Sequence, residues 1–498
     1  MFDYFKNFVK HSMTYSVGNM IYRAAAFLLI PLYTRTLVPA DYGSLEMFYV
    51  VASVMRTFLG IMIGHATIRF YFEFTEEIEK KRVISTSLLI SAAISSLVIL
   101  SVWNFTPQLS RLIFKTTQYQ NVFYIVFFIV FFELSREIGL SYLRVKERSL
   151  LYIIIAIVQL IIQVVLNLWF VLSLHMGIEG ILWASLVSII ITWIILIFIT
   201  IRFCGFNFDF HKVKLLAHYC SPFLLATVTG VIINNADRIM LNNYRDLTVV
   251  GIYALALKFG LLIKDLVIEP FNRNFGQSRF AIMKNHDAKR IYARTLIYFA
   301  YVMTFLCLGI SFFSKEALHV FVGSEFWNAY KPVPFILFAV TIGGMSYIFE
   351  TGILIQKKTK YIFMISFFSA IVVVVCNRIL IPALSSYGAA IAMLLTSVFT
   401  CILTYAISNK IYPLQHEFSR LFKIFAVGIV LAVTTFVSEA LLHLKWYIAI
   451  VFKALMLLSF PVLLHLLSFY KEEEKTKLKL FLVLIRQRFV HKAVLSQP

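Results

Sequence analysis

The sequence predicts an all-α polytopic membrane protein of about fourteen transmembrane helices, and three observations predict it. Of 498 residues, 60% are apolar and 14% charged, where soluble domains hold roughly 45–50% and about 25%. Mean hydropathy is +0.84. Apolar runs recur along nearly the whole length, each long enough to cross a hydrocarbon core of about 30 Å at about 1.5 Å per residue. A backbone with no water around it must satisfy its polar groups within each spanning segment, which such runs do as helices.

The elements follow in order. The first apolar stretch, Met13 to Tyr33, comes after Lys6 and Lys10 as a signal peptide would. Arg23 interrupts its core and no small-x-small site stands at its outer end, so it reads as a retained helix near 13–34. Polar breaks then set spans near 44–68, 83–103, 121–141, 151–174, 180–201 and 221–243. A second series follows near 249–271, 294–314, 333–356, 362–382, 388–409, 424–443 and 447–469. The tail from Tyr470 to Pro498 mixes Lys475, Lys479, Arg486 and Arg488 with Leu478, Phe481 and Ile485, the pattern of a basic helix on an anionic leaflet.

Charge sets the orientation. With a cytoplasmic N-terminus, the inside segments hold thirty Lys and Arg and the outside segments seven. That bias places both termini in the cytoplasm. It also accounts for most of the formal charge of +21, which would otherwise suggest nucleic acid. The basic residues lie in short loops rather than on one face with stacking aromatics, so no nucleic-acid partner is expected. Cys204, Cys220, Cys307, Cys376 and Cys401 match no metal or redox spacing and read as packing residues, and no metal or cofactor is expected.

Nine basic residues remain in or at the ends of spans: Arg23, Arg56, Arg69, Arg136, Arg238, Lys258, Lys264, Arg378 and Lys453. A basic side chain at the bilayer centre costs about 2.5–3.5 kcal/mol on insertion scales, so these need partners or a wet cavity. Glu133, Arg136 and Glu137 share a helical face and read as an internal ion-pair arrangement. Lys258, Asp265 and Glu269 share a stripe, and Asp237 adjoins Arg238. Arg69 and Lys453 read as snorkelling from span ends. Arg23 and Arg56 have no acid three, four or seven positions away. Their partner is either a carboxylate on another helix, such as Glu350 or Asp265, or a substrate anion.

Several motifs lie on the spans that matter. Pro31-Leu-Tyr-Thr-Arg35 is followed by Pro39-Ala-Asp41-Tyr42-Gly43 and Arg69-Phe-Tyr71. Later come Asn235-Ala-Asp237-Arg238-Ile-Met-Leu241 and Gly251-Ile-Tyr253-Ala-Leu-Ala-Leu-Lys258. In this order the chain resembles, over essentially its full length, the polysaccharide-export branch of the multidrug/oligosaccharidyl-lipid/polysaccharide superfamily, the Wzx-type O-antigen flippases. The halves also echo each other at an offset of 210, pairing Arg35 with Arg245, Leu37 with Leu247 and Leu45 with Leu255. The repeat is therefore parallel.

The resemblance implies two six-helix bundles, 1–205 and 206–412, around a central cavity lined by the first, second, seventh and eighth helices. Two added helices within 413–470 and the cytoplasmic tail 471–498 complete the chain. It further implies transport of an undecaprenyl-diphosphate-linked glycan from inner to outer leaflet of the bacterial cytoplasmic membrane, by alternating access. Arg23, Arg56, Arg238, Lys258 and Lys264 fall on the implied cavity helices as the diphosphate cradle, Arg being suited because guanidinium keeps its charge when desolvated. Asp237, Asp265, Glu269 and Glu350 are the candidates for ion coupling or gating. Pro31 supplies a bend or a static kink. Membrane lipid and polymerase machinery are the expected partners, and a monomer the expected state.

Two rivals make different demands. A multidrug cation antiporter of the same superfamily usually places an acid in the first helix, where this chain has Arg23. A membrane-embedded glycan polymerase or ligase needs clustered acids, bases or metal ligands on a large outer loop, and the outer segments near 104–120 and 315–332 are short and group neither carboxylates nor histidines. No enzyme is expected.

Overall fold

The computed structural model describes residues 27–476 apart from Lys284, Gln415, His443, Leu444 and Glu473. Arg23, most of the first expected span and the tail beyond Thr476 lie outside the described residues. Among those described there are helices and turns and no strand.

The helices are α1 Ile30–Thr36, α2 Pro39–Leu59, α3 Ile61–Glu73, α4 Glu77–Trp103, α5 Thr106–Phe114, α6 Gln120–Val145, α7 Ser149–Asn167, α8 Gly177–Cys204 and α9 Phe210–Tyr244. They continue as α10 Leu247–Ile263, α11 Glu269–Ile282, α12 Ala288–Phe321, α13 Val333–Phe349, α14 Thr351–Ile355, α15 Lys360–Leu384, α16 Ser386–Ile411, α17 Phe418–Leu442 and α18 Trp446–Leu466. A π-helical turn, Leu168–Ser173, extends α7, and another, Lys264–Ile268, joins α10 to α11.

Among the described residues, eleven continuous stretches are long and apolar enough to span a bilayer, and the bent α9 makes a twelfth. The expected fourth span is present as the 26 residues of α6, but Glu133, Arg136 and Glu137 lower its apolar character. The expected fourteen therefore stands as an expectation, with the first span outside the described residues. Leu97, Leu100, Phe198, Ile379 and Leu455 are exposed, as lipid-facing side chains must be.

Two helices are broken for visible reasons. Leu29 interrupts the first helix just before Pro31, which lacks the N–H a continuous helix needs. In α9, Phe210–Ser221 and Ala226–Tyr244 meet at 56° across a break that contains Pro222.

The chain divides into two compact units. The first comprises residues 1–281 and 315–413. Within it α6 packs on α4 and α8 through Ile84, Ile138, Leu143 and Leu196, while α16 packs on α13 and α15. The repeated arginines play matching parts here: Arg35 Nη2 donates to the Val320 carbonyl at 3.1 Å, and Arg245 Nη2 to the Pro382 carbonyl at 2.5 Å.

The second unit comprises residues 282–314 and 414–498. Here α17 packs against α18, and Phe436 meets Phe312 edge to face at 6.3 Å. Lys453 does not snorkel. It is 1% exposed and its Nζ lies 2.9 Å from Glu439 Oε2 on α17, because its position eight residues into α18 leaves the ammonium no route to an interface.

Candidate functional site

The site begins with two glycines. Gly43 on α2 and Gly251 on α10 face each other so closely that a Cβ on Gly43 would overlap the Leu247 carbonyl, and one on Gly251 the Pro39 carbonyl. Small residues at such a crossing let two helix backbones approach, the usual packing device within a membrane. Pro39, in the first turn of α2, starts the helix with its φ already set. Beside the crossing, Tyr42 packs edge to face on Phe326 with ring centres 5.6 Å apart.

From that crossing inward, the facing side chains are charged. Glu46, about one turn beyond Gly43, places Oε1 2.5 Å from Lys258 Nζ and Oε2 4.0 Å from Arg238 Nη1. Its side chain is 4% exposed, while those of Lys258 and Arg238 keep 26% and 17%. Sequence reading pairs Lys258 with Asp265 and Glu269 on its own stripe. The close α2–α10 crossing brings Glu46 nearer and makes it the partner.

Arg56 lies further along α2 and turns to α6, where Nη1 donates to both Glu133 oxygens at 3.0 and 2.8 Å. Its partner is a carboxylate on another helix, as one branch of the expectation had it, but Glu133 rather than Glu350 or Asp265. The internal arrangement expected along α6 is replaced accordingly. Glu133 takes Arg56, Glu137 takes Arg144 at 2.9 Å, and Arg136 donates to Gln159 on α7.

Two cavities in the first unit divide the expected basic cradle. One, of about 210 Å³, is lined by Glu46, Tyr49, Arg56, Glu133, Gln159 and Lys258 among others. The other, of about 150 Å³, is lined by Asn234, Asp237, Arg238, Lys264, Asn377 and Thr396 among others. Arg56 and Lys258 thus belong to the first, Arg238 and Lys264 to the second, and Glu46 reaches a cation of each. Lys264 opens the π-helical turn after α10 and has no acidic partner among the described residues. Arg23 lies outside the described residues.

Of the acids expected to couple or gate, Asp237 alone lines either of these two cavities. Its Oδ2 accepts from Tyr253 Oη at 2.8 Å and its Oδ1 lies 3.5 Å from Arg238 Nε. Beside it, Asn377 is fully buried with neither amide atom hydrogen-bonded. Asp265 sits in the π-helical turn and Glu269 starts α11, while Glu350 closes α13 with Arg279 as its charged neighbour. Among the described residues, no group of three His, Cys, Asp or Glu could hold a metal ion.

Sequence reading missed Glu46, and it names Gln159 only as one of several scattered polar side chains that could contact a glycan. Glu46 carries the signal that singled out the basic residues, since it is a charge inside an apolar run. Counting intramembrane acids alongside bases would have found it.

Comparison with known proteins bears on this architecture. A family model described as polysaccharide biosynthesis protein matches residues 8–275. Among solved structures, the chain is similar to a lipid II flippase MurJ in an inward closed conformation, with TM-score 0.71 and 14% identity over 93% of this chain and 99% of that one. It is similar also to an inward-facing multidrug resistance MATE family transporter of the MOP superfamily, with TM-score 0.62 and 14% identity over 79% and 97%. An outward-facing transporter of that description gives TM-score 0.60 and 13% identity over 80% and 95%. Likeness at these identities establishes the fold. A search of curated proteins returned no sequence match.

Proposed function

We propose, since the chain belongs to the polysaccharide biosynthesis protein family, that it flips an undecaprenyl-diphosphate-linked oligosaccharide from the inner to the outer leaflet of the bacterial cytoplasmic membrane. The product would feed a surface polysaccharide of the O-antigen or capsule type. The chain acts as a transporter rather than an enzyme, as a monomer with both termini cytoplasmic, and hands its cargo to the polymerase machinery.

The observation that carries this reading is the set of basic side chains on cavity walls within spanning helices. Arg56, Arg238, Lys258 and Lys264 outnumber Glu46, Glu133 and Asp237 on those walls. A diphosphate cannot cross hydrocarbon bare, and fixed cations replace its hydration with charge-assisted hydrogen bonds. Arg56 and Lys258 offer partly exposed heads that an incoming phosphate can share with, or take from, Glu133 and Glu46. Arg23, outside the described residues, joins this proposed cradle on the sequence resemblance alone. The glycan occupies the wet interior while the polyprenyl tail stays in lipid between the bundles.

Alternating access follows from rocking one bundle against the other, 1–205 against 206–412. Moving about two negative charges outward against an inside-negative potential is favoured by about 2.3 kcal/mol per charge per 100 mV. Asp237 is the acid best placed to take a coupling ion, supported by the unsatisfied Asn377 amide in the same cavity.

The test is complementation in a host lacking its own flippase, with Arg23→Ala, Arg56→Ala and Arg23→Lys variants at equal membrane levels. The alanine variants are expected to leave glycan on the inner leaflet and the lysine variant to rescue in part. Wild-type polymer without either arginine overturns the cradle. A second reading, a multidrug cation antiporter of the same superfamily, is favoured by the carboxylates Glu46, Glu133 and Asp237 on the cavity walls. It requires that the chain confer resistance to cationic drugs on a sensitive host.

A further inference from the structure

Away from the charged site, the first unit holds a cavity of about 460 Å³ that is apolar almost throughout. Its walls include Val51 of α2, Val98 of α4, Leu109 and Leu112 of α5, Phe127 of α6 and Ile239 of α9, and its polar lining is Asn242 and Asn243 alone. Asn242 Nδ2 donates to the Ile113 carbonyl and so ties the end of α9 to α5. The cavity is open on one side, and Leu112 and Ile239 on its wall stay exposed.

Such walls hold no water, because a trapped water needs polar partners, and a gap left empty forfeits the dispersion contacts of every side chain around it. Within a bilayer the filler at hand is hydrocarbon. The space of about 460 Å³ is roughly three times the void of about 150 Å³ that accepts a benzene ring, which scales to about eighteen carbons. That matches one acyl chain of a phospholipid and falls far short of an undecaprenyl tail.

Charge beside the cavity says which phospholipid. Arg111 stands in the last turn of α5, next to Leu112, and Lys115 follows as the cap of that helix. Both are exposed. The segment 104–120 that contains them has no Asp or Glu. In the proposed topology this segment is on the outer face, where cations are scarce, yet two of the seven outer Lys and Arg flank this one nine-residue helix.

We propose that this cavity seats one acyl chain of an anionic phospholipid of the outer leaflet, whose headgroup phosphate lies against Arg111 and Lys115. The ligand is a resident lipid, so the site stands whatever cargo the chain carries. Its walls join α2, α4, α5 and α6, from the stretch 1–205, to α9, from the stretch 206–412. A seated chain therefore braces the two stretches against each other, and binding to the folded protein alone stabilises it by mass action.

The experiment places the full chain in nanodiscs doped with phosphatidylglycerol, or with phosphatidylcholine, that carries a photoactivatable diazirine on one acyl chain, and maps the adducts by mass spectrometry. In the wild type, phosphatidylglycerol is expected to label residues 47–55 and α5 several-fold more than the exposed Leu455 and Leu458 of α18. It should also label them about fivefold more than phosphatidylcholine does, the worth of one cation at a lipid surface. Arg111→Gln with Lys115→Gln is expected to erase the headgroup preference, and Val98→Trp, which fills the cavity, to erase the labelling itself. Because Arg111 and Lys115 are exposed, their double variant decides the matter even if Val98→Trp fails to fold. Labelling as strong on α18 as on α5, or a headgroup preference that is absent in the wild type or survives in the double variant, overturns the site. Displacement of the probe by undecaprenyl phosphate but not by plain phosphatidylglycerol overturns it too, and assigns the cavity to a polyprenyl tail.

Discussion

Two ion pairs on spanning helices, Lys453–Glu439 in the second unit and Arg56–Glu133 in the first, show how differently a membrane protein can hold a charge. The ammonium of Lys453 is sealed, its side chain 2% exposed, and Glu439, which keeps 21%, lies at 2.9 Å. Arg56 and Glu133 lie equally close, at 2.8 Å, but keep 31% and 26% of their side chains open toward a cavity. A sealed ammonium is closed to a third party and serves to hold α17 to α18. An open pair is a contact that a ligand can enter. Exposure, more than the presence of a counter-ion, separates charges that build the protein from charges that can meet a substrate.

Removing the sealed cation is the strongest test of that distinction. Lys453→Met removes the buried ammonium that faces Glu439 and is expected to cost about 3–5 kcal/mol of stability, read as a large drop in thermal midpoint or loss from the membrane. Adding Glu439→Leu is expected to restore most of that loss, because an apolar pair of similar volume suits the site. A double variant as unstable as the single one would break the comparison.

The helical architecture was legible because hydrocarbon demands it. Long apolar runs between polar breaks mark spanning helices whatever packs beside them, and the expected spans from 44–68 onward fall on helical stretches of the structure, some of them broken or in two segments. The site was only half legible. Arg56, Arg238, Lys258 and Lys264 announced themselves as costly charges, but their partners sit on other helices, and same-helix spacing cannot see across a crossing. Glu46 reaches Lys258 only because Gly43 and Gly251 let α2 and α10 touch. Lys453 was misread because its nearest acid in the chain lies on a different helix.

The glycine crossing gives the next effect in size. Gly43→Leu must push α2 from α10, an overpacking expected to cost about 1–3 kcal/mol. It should also separate Glu46 from Lys258, so a cysteine pair placed at 46 and 258 should cross-link in the parent and fail to do so with Leu at 43. Unchanged cross-linking would mean that the crossing does not set the ion pair. Arg56→Met, by contrast, should shift thermal stability by no more than about 1 kcal/mol, as for other partly solvated pairs, while transport is lost. A large stability loss from that variant would place Arg56 with Lys453 among the structural charges.

The smallest effect lies where the second unit leaves the membrane, and it has a sign that can be worked out. Burial pushes His416 down to about 4 from its ordinary 6.5. Burial opposes ionisation of Glu417 and Glu474, but hydrogen bonds outweigh it. Lys471 and Arg420 hold Glu417 below its ordinary 4.5, and the Lys471 backbone, Arg420 and Tyr298 do the same for Glu474. All three groups bind a proton more readily in the unfolded chain, so each contributes stability that falls as the solution is acidified. The histidine part is complete above its unfolded value and fades between about pH 6.5 and 4. The carboxylate part is complete above 4.5 and fades below it. Melting curves of the full chain in detergent should therefore decline in two stages, His416→Gln flattening the upper and Glu417→Gln the lower. An upper stage that persists in His416→Gln would assign that loss to another group. Because this cluster lies outside the spanning segments, neither substitution should alter binding at the Arg56–Glu133 cavity, which keeps the pH response of the second unit separable from the chemistry of the first.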